Sequence, residues 1–249
     1  MNFKGREEPI VQELANEYLT EQGITILNDV TLNSVSNDGN KPVITANGQN
    51  YTFDAVLYAT GRKPNTANIG LENTDITTNE RGAIVVNDTC ESSVPGVYAV
   101  GDVNGGPQFT YISLDDFRIV FGTLTGNGQY TLKDRKNIPY TTFLTPPLAR
   151  VGLTEEDAIN KGYTVKTKEM LVATMPRAHV NDYLKGAFKI VVNADNDLIL
   201  GATLYSQGAE ELINLIKMAM DNNIPYTYFK NQIFTHPTMA ENLNDLCNF

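Results

Sequence analysis

The sequence predicts α/β segments followed by a separate α+β unit. Three observations carry this expectation. Short apolar runs end in glycine turns and lead into helical periodicity, as at 97–100, Gly101-Asp102 and the pattern that begins near Thr110. A hairpin-rich stretch lies between a helical pattern at 7–22 and an apolar run at 54–60. From Ile138 onward strands dominate, with a helix at each end, which is the make-up of an α+β unit. Segment boundaries fall at 1–65, 66–135 and 136–249.

In residues 7–22, Ile10, Val11, Leu14, Tyr18 and Leu19 repeat at helical spacing, with Pro9 near the start and Gly23 just past the end. Residues 24–27 read as a short buried strand and 30–35 as another. Asp38-Gly39-Asn40 and Asn47-Gly48 are hairpin turns around a strand at 43–46, and 51–53 returns. Residues 54–60 form a buried run that ends in Gly61-Arg62-Lys63-Pro64. Residues 82–87 read as a strand after the turn 79–82, and 89–94 as a connecting loop. The breaker pair Pro95-Gly96 precedes the buried strand 97–100. A helix follows from about Thr110, with Ile112, Leu114, Phe117, Ile119, Val120 and Phe121 apolar, and Gly126-Asn127-Gly128 ends it. Lys133-Asp134-Arg135-Lys136 is most simply a solvated linker. In the last segment, strands are expected at 140–144, 165–174, 187–192 and 198–205, and a helix at 209–220. Thr154 with Asp157 three residues on is a helix cap.

The chain of 249 residues is 41% hydrophobic and 19% charged, ordinary for a globular protein. A net charge of -10 argues against a nucleic-acid surface and against an anionic membrane. No apolar run approaches the ~20 residues that cross a bilayer, and the first residues lack the apolar core of a signal peptide. No nucleic-acid or membrane partner and a cytoplasmic setting are therefore expected. Cys90 and Cys247 form neither a CxxC nor a CxxxxC pair, so no redox dithiol, zinc framework or other metal site is encoded. Cys247 is reactive if exposed; the alternative is two unpaired thiols in a reducing compartment.

Two stretches carry candidate chemistry. Asp102 lies in an acidic turn between a strand and a helix, where ligands of α/β sheets sit. Its carboxylate suits the hydroxyls of a sugar or sugar alcohol and repels a phosphate. By pattern alone a turn residue or helix cap is the simpler reading, with a nucleotide site the alternative. Near the carboxyl end, Thr238 and Glu241 have capping-box spacing, which reads as a helix start. The alternative pairs Glu241 with His236, so that the carboxylate fixes the imidazole tautomer and His236 exchanges a proton with a thiol.

Ala99-Val100-Gly101-Asp102 resembles the second FAD motif of the pyridine nucleotide–disulfide oxidoreductases, the family of glutathione reductase, dihydrolipoamide dehydrogenase and mercuric reductase. The segment from Ala59 through Thr66, with Gly61 and Arg62, resembles the family's exit from the pyridine nucleotide domain beside the flavin. His236-Pro237-Thr238, with Glu241 after it, resembles the family's acid–base motif. The neighbourhoods 105–118, 175–179 and 233–238 look most like the bacterial reactive-chlorine resistance flavoenzymes, which are similar to mercuric reductase and associated with copper(II) reduction.

This resemblance implies partial FAD/NAD(P)-binding Rossmann-like segments followed by a FAD/NAD-linked reductase carboxyl-terminal dimerisation domain. Residues 1–65 would close the NAD(P)-binding domain, 66–135 the FAD-binding domain, and 136–249 would form a homodimer. FAD and NAD(P)H are the implied cofactors of the intact enzyme, passing electrons from nicotinamide to flavin, to a dithiol, and on to a disulfide or metal ion. Asp102 would hold the ribityl chain, with Gly61, Arg62 and Gly101 beside the cofactor and Thr110 and Leu114 near the flavin at the helix start. His236 and Glu241 would be catalytic across the dimer.

The resemblance covers only the family's carboxyl-terminal half. The sequence contains no GxGxxG and no CxxxxC. A flavin without its phosphate contacts forgoes charge-assisted bonds of about 1.5–3 kcal/mol each. The chain alone is therefore expected to bind FAD weakly or not at all and to lack turnover. The alternative from another class is a non-catalytic dimerisation module without bound nucleotide.

Overall fold

Pro9 opens helix α1 (Pro9–Glu21), where its fixed φ suits the first turn and its missing N–H forfeits nothing. Gly23, at φ 82°, follows its end. Val11, Ala15 and Tyr18 are buried, and Ile10 and Leu14 pack beside them, so the expected apolar face is the one used. A three-stranded antiparallel meander comes next: β1 (Leu32–Asn37), β2 (Pro42–Ala46) and β3 (Gln49–Thr52). Asn47 and Gly48, both at positive φ, make the two-residue turn between β2 and β3.

The computed structural model describes residues 6–249. These form two units, one of residues 6–56 with 137–249 and the other Leu57–Lys136.

In the first unit a five-stranded antiparallel sheet has the order β4-β5-β8-β7-β6. Its strands are β4 (Tyr140–Thr142), β5 (Leu148–Gly152), β6 (Val165–Leu171), β7 (Ala187–Asn193) and β8 (Ile199–Tyr205). The expected strand at 165–174 stops at Leu171 and closes in a 3-10 turn, Val172–Thr174. Helix α3 (Glu155–Asn160) starts from the Thr154–Asp157 capping box as expected. Short α4 (Pro176–Val180) follows β6. Helix α5 (Ala209–Asp221) lays Leu212, Ile213, Ile216 and Ala219 into the core with Phe188, Ile190, Val192 and Leu204. Two short helices, α6 (Tyr226–Asn231) and α7 (Asn242–Leu246), complete the unit.

Every residue of β7 is buried: Phe188, Ile190 and Val192 belong to the core shared with α5 and α7, and the other face turns toward the start of α1. That second face carries Lys189, 5% exposed, on a strand otherwise suited to hydrocarbon. Its Nζ lies 3.0 Å from Glu8 Oε2, 2.7 Å from Glu155 Oε2 and 2.9 Å from Glu169 Oε1. Glu8 also accepts the Glu155 backbone N–H at 2.8 Å, which ties the starts of α1 and α3 together. Burial works against the charged ammonium, but the three carboxylates outweigh it and hold Lys189 above the ordinary lysine range.

In the second unit, a 3-10 turn at Gly101–Asn104 leads to helix α2 (Thr110–Thr125), which Gly126 ends at φ 73°. Four expected strands have no ladder there or at the start of the chain. Residues 24–27 and 54–60 carry no regular structure and pair with no strand among the described residues, and Leu57 is 90% exposed. Residues 82–87 contribute one bridge, Thr78 with Ile84, and 97–100 another, Glu91 with Tyr98. The second bridge engages the 89–94 segment expected as a loop. A strand exists only through its partner's hydrogen bonds, and apolar composition alone cannot supply them.

Cys90 and Cys247 are free and fully buried. Burial pushes the Cys90 thiol up to about 11 and the Cys247 thiol up to about 12, so the reactive reading of Cys247 does not hold in the folded chain.

Two outcomes follow. Lys189→Met leaves the buried Glu8 carboxylate without its counterion, beside Glu155 and Glu169, and should cost about 3–5 kcal/mol in urea denaturation. Because the Lys189 value is raised, its stabilisation is present throughout the neutral range and is lost only as pH climbs beyond the ordinary lysine value. With an aromatic disulfide reagent at mildly alkaline pH, the native chain should show no fast thiol, and the guanidinium-unfolded chain should show both.

Candidate functional site

The turn at Gly101–Asn104 is organised from beneath by one buried carboxylate. Asp116 is fully buried on α2, in line with Ile112 and Ile119. Its Oδ2 accepts the Gly101 N–H at 2.8 Å and the Asn104 side-chain amide at 2.9 Å. Its Oδ1 pairs with Arg135 Nη2, and Arg135 Nε donates to Asp115 Oδ2 at 2.7 Å. Arg135 is 11% exposed. The 133–136 segment is therefore not the solvated linker expected. Lys133 is out in water, but Arg135 turns inward to neutralise Asp116. An aspartate at a core position of a helical repeat was the available signal for this ion pair, and it was masked by the general polarity of the run.

Gly101 is held at φ 73°, and a Cβ there would stand 2.9 Å from Ser113 Oγ. Only glycine meets both conditions. The turn then presents the next residue, Asp102, outward, with its side chain 46% exposed. Arg62 Nη1 donates to Asp102 Oδ2 at 3.1 Å, and Arg62 Nη2 to the Gln108 carbonyl at 3.0 Å. Gly61, at φ 119°, precedes Arg62. Gly61, Arg62, Gly101 and Asp102 thus form one cluster within the second unit. Thr110 is the first residue of α2, and Leu114 lies one turn on, half exposed. The apolar set expected for α2 splits: Ile112 and Ile119 are buried, whereas Leu114, Phe117 and Phe121 face outward.

The other pair lies in the first unit. Residues 232–235 run without regular structure from α6 to His236. His236 Nδ1 lies 2.7 Å from Glu241 Oε2. Glu241 Oε1 accepts the Thr238 N–H at 3.0 Å, and Thr238 Oγ1 accepts the Glu241 N–H at 3.2 Å. Glu241 therefore has one oxygen on the backbone and the other on the ring. The capping geometry closes one turn early, since α7 begins at Asn242. The His236 hydrogen bond, with help from the Thr238 N–H, holds the Glu241 carboxyl below the ordinary carboxylate range. With Nδ1 on the carboxylate, Nε2 is the atom left to exchange a proton. The side chain of His236 is 69% exposed. His179 differs: its Nε2 lies 2.8 Å from the Ala173 carbonyl.

No group of three or more His, Cys, Asp or Glu among the described residues is placed to hold a metal. Among the described residues no helix is long and apolar enough to cross a membrane.

Residues 3–116 match the family model described as pyridine nucleotide-disulphide oxidoreductase, and residues 138–247 match its dimerisation domain. The chain belongs to the pyridine nucleotide-disulphide oxidoreductase family. Among curated members, the probable pyridine nucleotide-disulfide oxidoreductase RclA of Escherichia coli is 42% identical over 244 residues, covering 98% of this chain and 55% of that protein. Mercuric reductase of Staphylococcus aureus is 36% identical over 240 residues, covering 95% of this chain and 44% of the enzyme. The structure of the HOCl-induced flavoprotein disulfide reductase RclA from Escherichia coli superimposes with a TM-score of 0.94 at 42% identity, over 98% of this chain and 56% of that one. A Cu(II) complex of the same reductase matches equally well. The chain spans about half the length of the family members it matches.

Asp116→Ala removes the partner of Arg135 and of the Gly101 N–H together, and should cost about 3–5 kcal/mol in chemical denaturation. Asp116→Asn keeps an acceptor for Gly101 and should lose less. Hydrogen exchange at the Gly101 amide should speed up in the alanine variant.

Proposed function

We propose that this chain supplies the flavin polyol clasp and the proton relay of an FAD- and NAD(P)H-dependent disulfide-type oxidoreductase. The observation that carries the reading is the His236–Glu241 pair, with one nitrogen tied to a depressed carboxylate and the other open. The donor set around Asp102 fits the sugar-alcohol part of FAD. Asp102 Oδ1 has no hydrogen-bond partner among the described residues, while Arg62 steadies Oδ2. A free carboxylate oxygen accepts from hydroxyls and disfavours phosphate. Gly61 and Gly101 give backbone close approach on either side, and Thr110 and Leu114 border the cluster at the start of α2.

When bound, the flavin supplies two-electron chemistry between nicotinamide and a dithiol. The chain's own part is proton handling. His236 Nε2 accepts the proton of a thiol as it becomes a thiolate and later returns it. Glu241 orients the ring and stabilises the imidazolium. Because the Glu241 value is lowered, its contribution is present above the ordinary carboxylate pKa and fades as pH falls through the depressed one. The relatives' names point to a disulfide, copper(II) or mercuric ion as the final acceptor.

We place the homodimer contact on 136–249. Ile233, 95% exposed, and Tyr228, 54% exposed, set uncovered apolar surface close in sequence to His236. A dimer sealing them would carry His236 to a partner's site. Two unpaired thiols suit a cytoplasmic setting.

A second reading, a dimerisation module without bound nucleotide, is favoured by the lack of GxGxxG and CxxxxC in the sequence. Size measurement and the visible spectrum test both readings. A dimer without flavin colour is expected of the chain alone, and Ile233→Asp should shift it toward monomer. A monomer at micromolar concentration would overturn the dimer assignment. Stoichiometric yellow flavin would overturn the expected weak binding and the nucleotide-free module alike.

A further inference from the structure

We propose that Asn242 and Asn244 are positioning residues for the His236–Glu241 pair, an inference that rests on reading that pair as a proton relay. The pair closes a bend whose two arms, 232–235 and 238–241, belong to no strand and to no helix. Ladder hydrogen bonds therefore do not fix where His236 sits, and something else must hold a 2.7 Å contact at an exposed ring.

The side chains of α7 meet that need from both directions. Asn244 Nδ2 lies 2.7 Å from the Phe229 carbonyl, 2.9 Å from that of Gln232 and 3.3 Å from that of Lys230. The two shortest account for its two N–H donors. One joins the last turn of α6, where the Phe229 carbonyl also takes the Gln232 N–H at 3.3 Å. The other seizes the arm leading to His236. Asn242 is 1% exposed, and its Nδ2 lies 3.2 Å from the Thr238 carbonyl and 3.1 Å from that of Met239, on the arm leading away. Between and beyond them, Leu243 and Leu246 are fully buried in the main core. The two asparagines thus tie both arms to one core-anchored helix. A carboxamide suits this task, because it offers two donors on a short stem and no charge to bury.

A purely structural cap would change stability alone, whereas a positioning pair also changes the state of the relay. The test is nuclear magnetic resonance on the whole chain, well below its melting temperature. Carbonyl-labelled Glu241 reports the carboxyl titration, and nitrogen-labelled His236 reports the tautomer. His179 is the only other histidine and serves as the internal reference. In the unsubstituted chain, Glu241 should titrate below the ordinary range and His236 should hold its proton on Nδ1. Asn244→Ala and Asn244→Asp, which remove the donors, should move the Glu241 midpoint upward and leave His236 a mixture of tautomers. Asn242→Ala should do the same. If that buried change unfolds the chain, Asn244→Asp decides. Asn222→Ala, which cuts a side-chain bond at the end of α5, should leave both signals in place. Unchanged Glu241 and His236 signals in folded Asn244 variants would overturn the positioning role while leaving the relay standing. A Glu241 that titrates normally in the unsubstituted chain and ignores His236→Gln would overturn the relay and the positioning role together.

Discussion

One ammonium group holds the first unit's outer layer to its sheet. Lys189 sits on the inner strand β7, yet it answers to carboxylates that are remote in sequence: Glu8 before α1, Glu155 at the start of α3 and Glu169 on β6. Hydrophobic burial brings α1 against the sheet through Val11, Ala15 and Tyr18, but such contacts are non-directional. The buried charge set adds direction. It is satisfied in one register of α1 only, because any sliding of Glu8 leaves a charge without its counterion. The Tyr18 hydroxyl, which accepts the Gly186 N–H at 2.8 Å, marks the same register at the other end of the helix.

The two candidate clusters share a device. In each, a carboxylate is joined to the backbone by one oxygen and to a side chain by the other. Asp116 takes the Gly101 N–H and Arg135, and Glu241 takes the Thr238 N–H and His236. Fixing the backbone first makes the second contact nearly free of conformational entropy. The difference is burial. Asp116 is sealed and sets the shape of the turn that presents Asp102, whereas Glu241 is only 19% exposed but holds a ring that remains open to solvent.

Much of this was legible in the residues. Pro9 and Gly23 bracket α1, Thr154 and Asp157 cap α3, Asn47-Gly48 makes its turn, and the long helices lie where periodicity puts them. These features are local, and local chemistry is enough to specify them. The family was legible too, from three short motifs in the right order. The expected strands at 24–27, 54–60, 82–87 and 97–100 were not realised as ladders, because a ladder depends on a second segment that a run of apolar residues cannot name. Arg135 was missed for a related reason: in a run of charged residues, only a distant buried acid distinguishes the one that turns inward. The asparagines of α7 gave no signal at all, since their meaning lies in the carbonyls they reach.

The outward row on α2, Leu114, Phe117 and Phe121, with two of its rings 5.7 Å apart, bears on how the chain behaves in a tube. Greasy patches of this kind draw molecules together, while a net charge of -10 pushes them apart over a distance set by the surrounding ions. Dilute buffers leave the repulsion intact and keep the chain dispersed. Concentrated brine removes it, and clumping then becomes a matter of ionic strength more than of temperature.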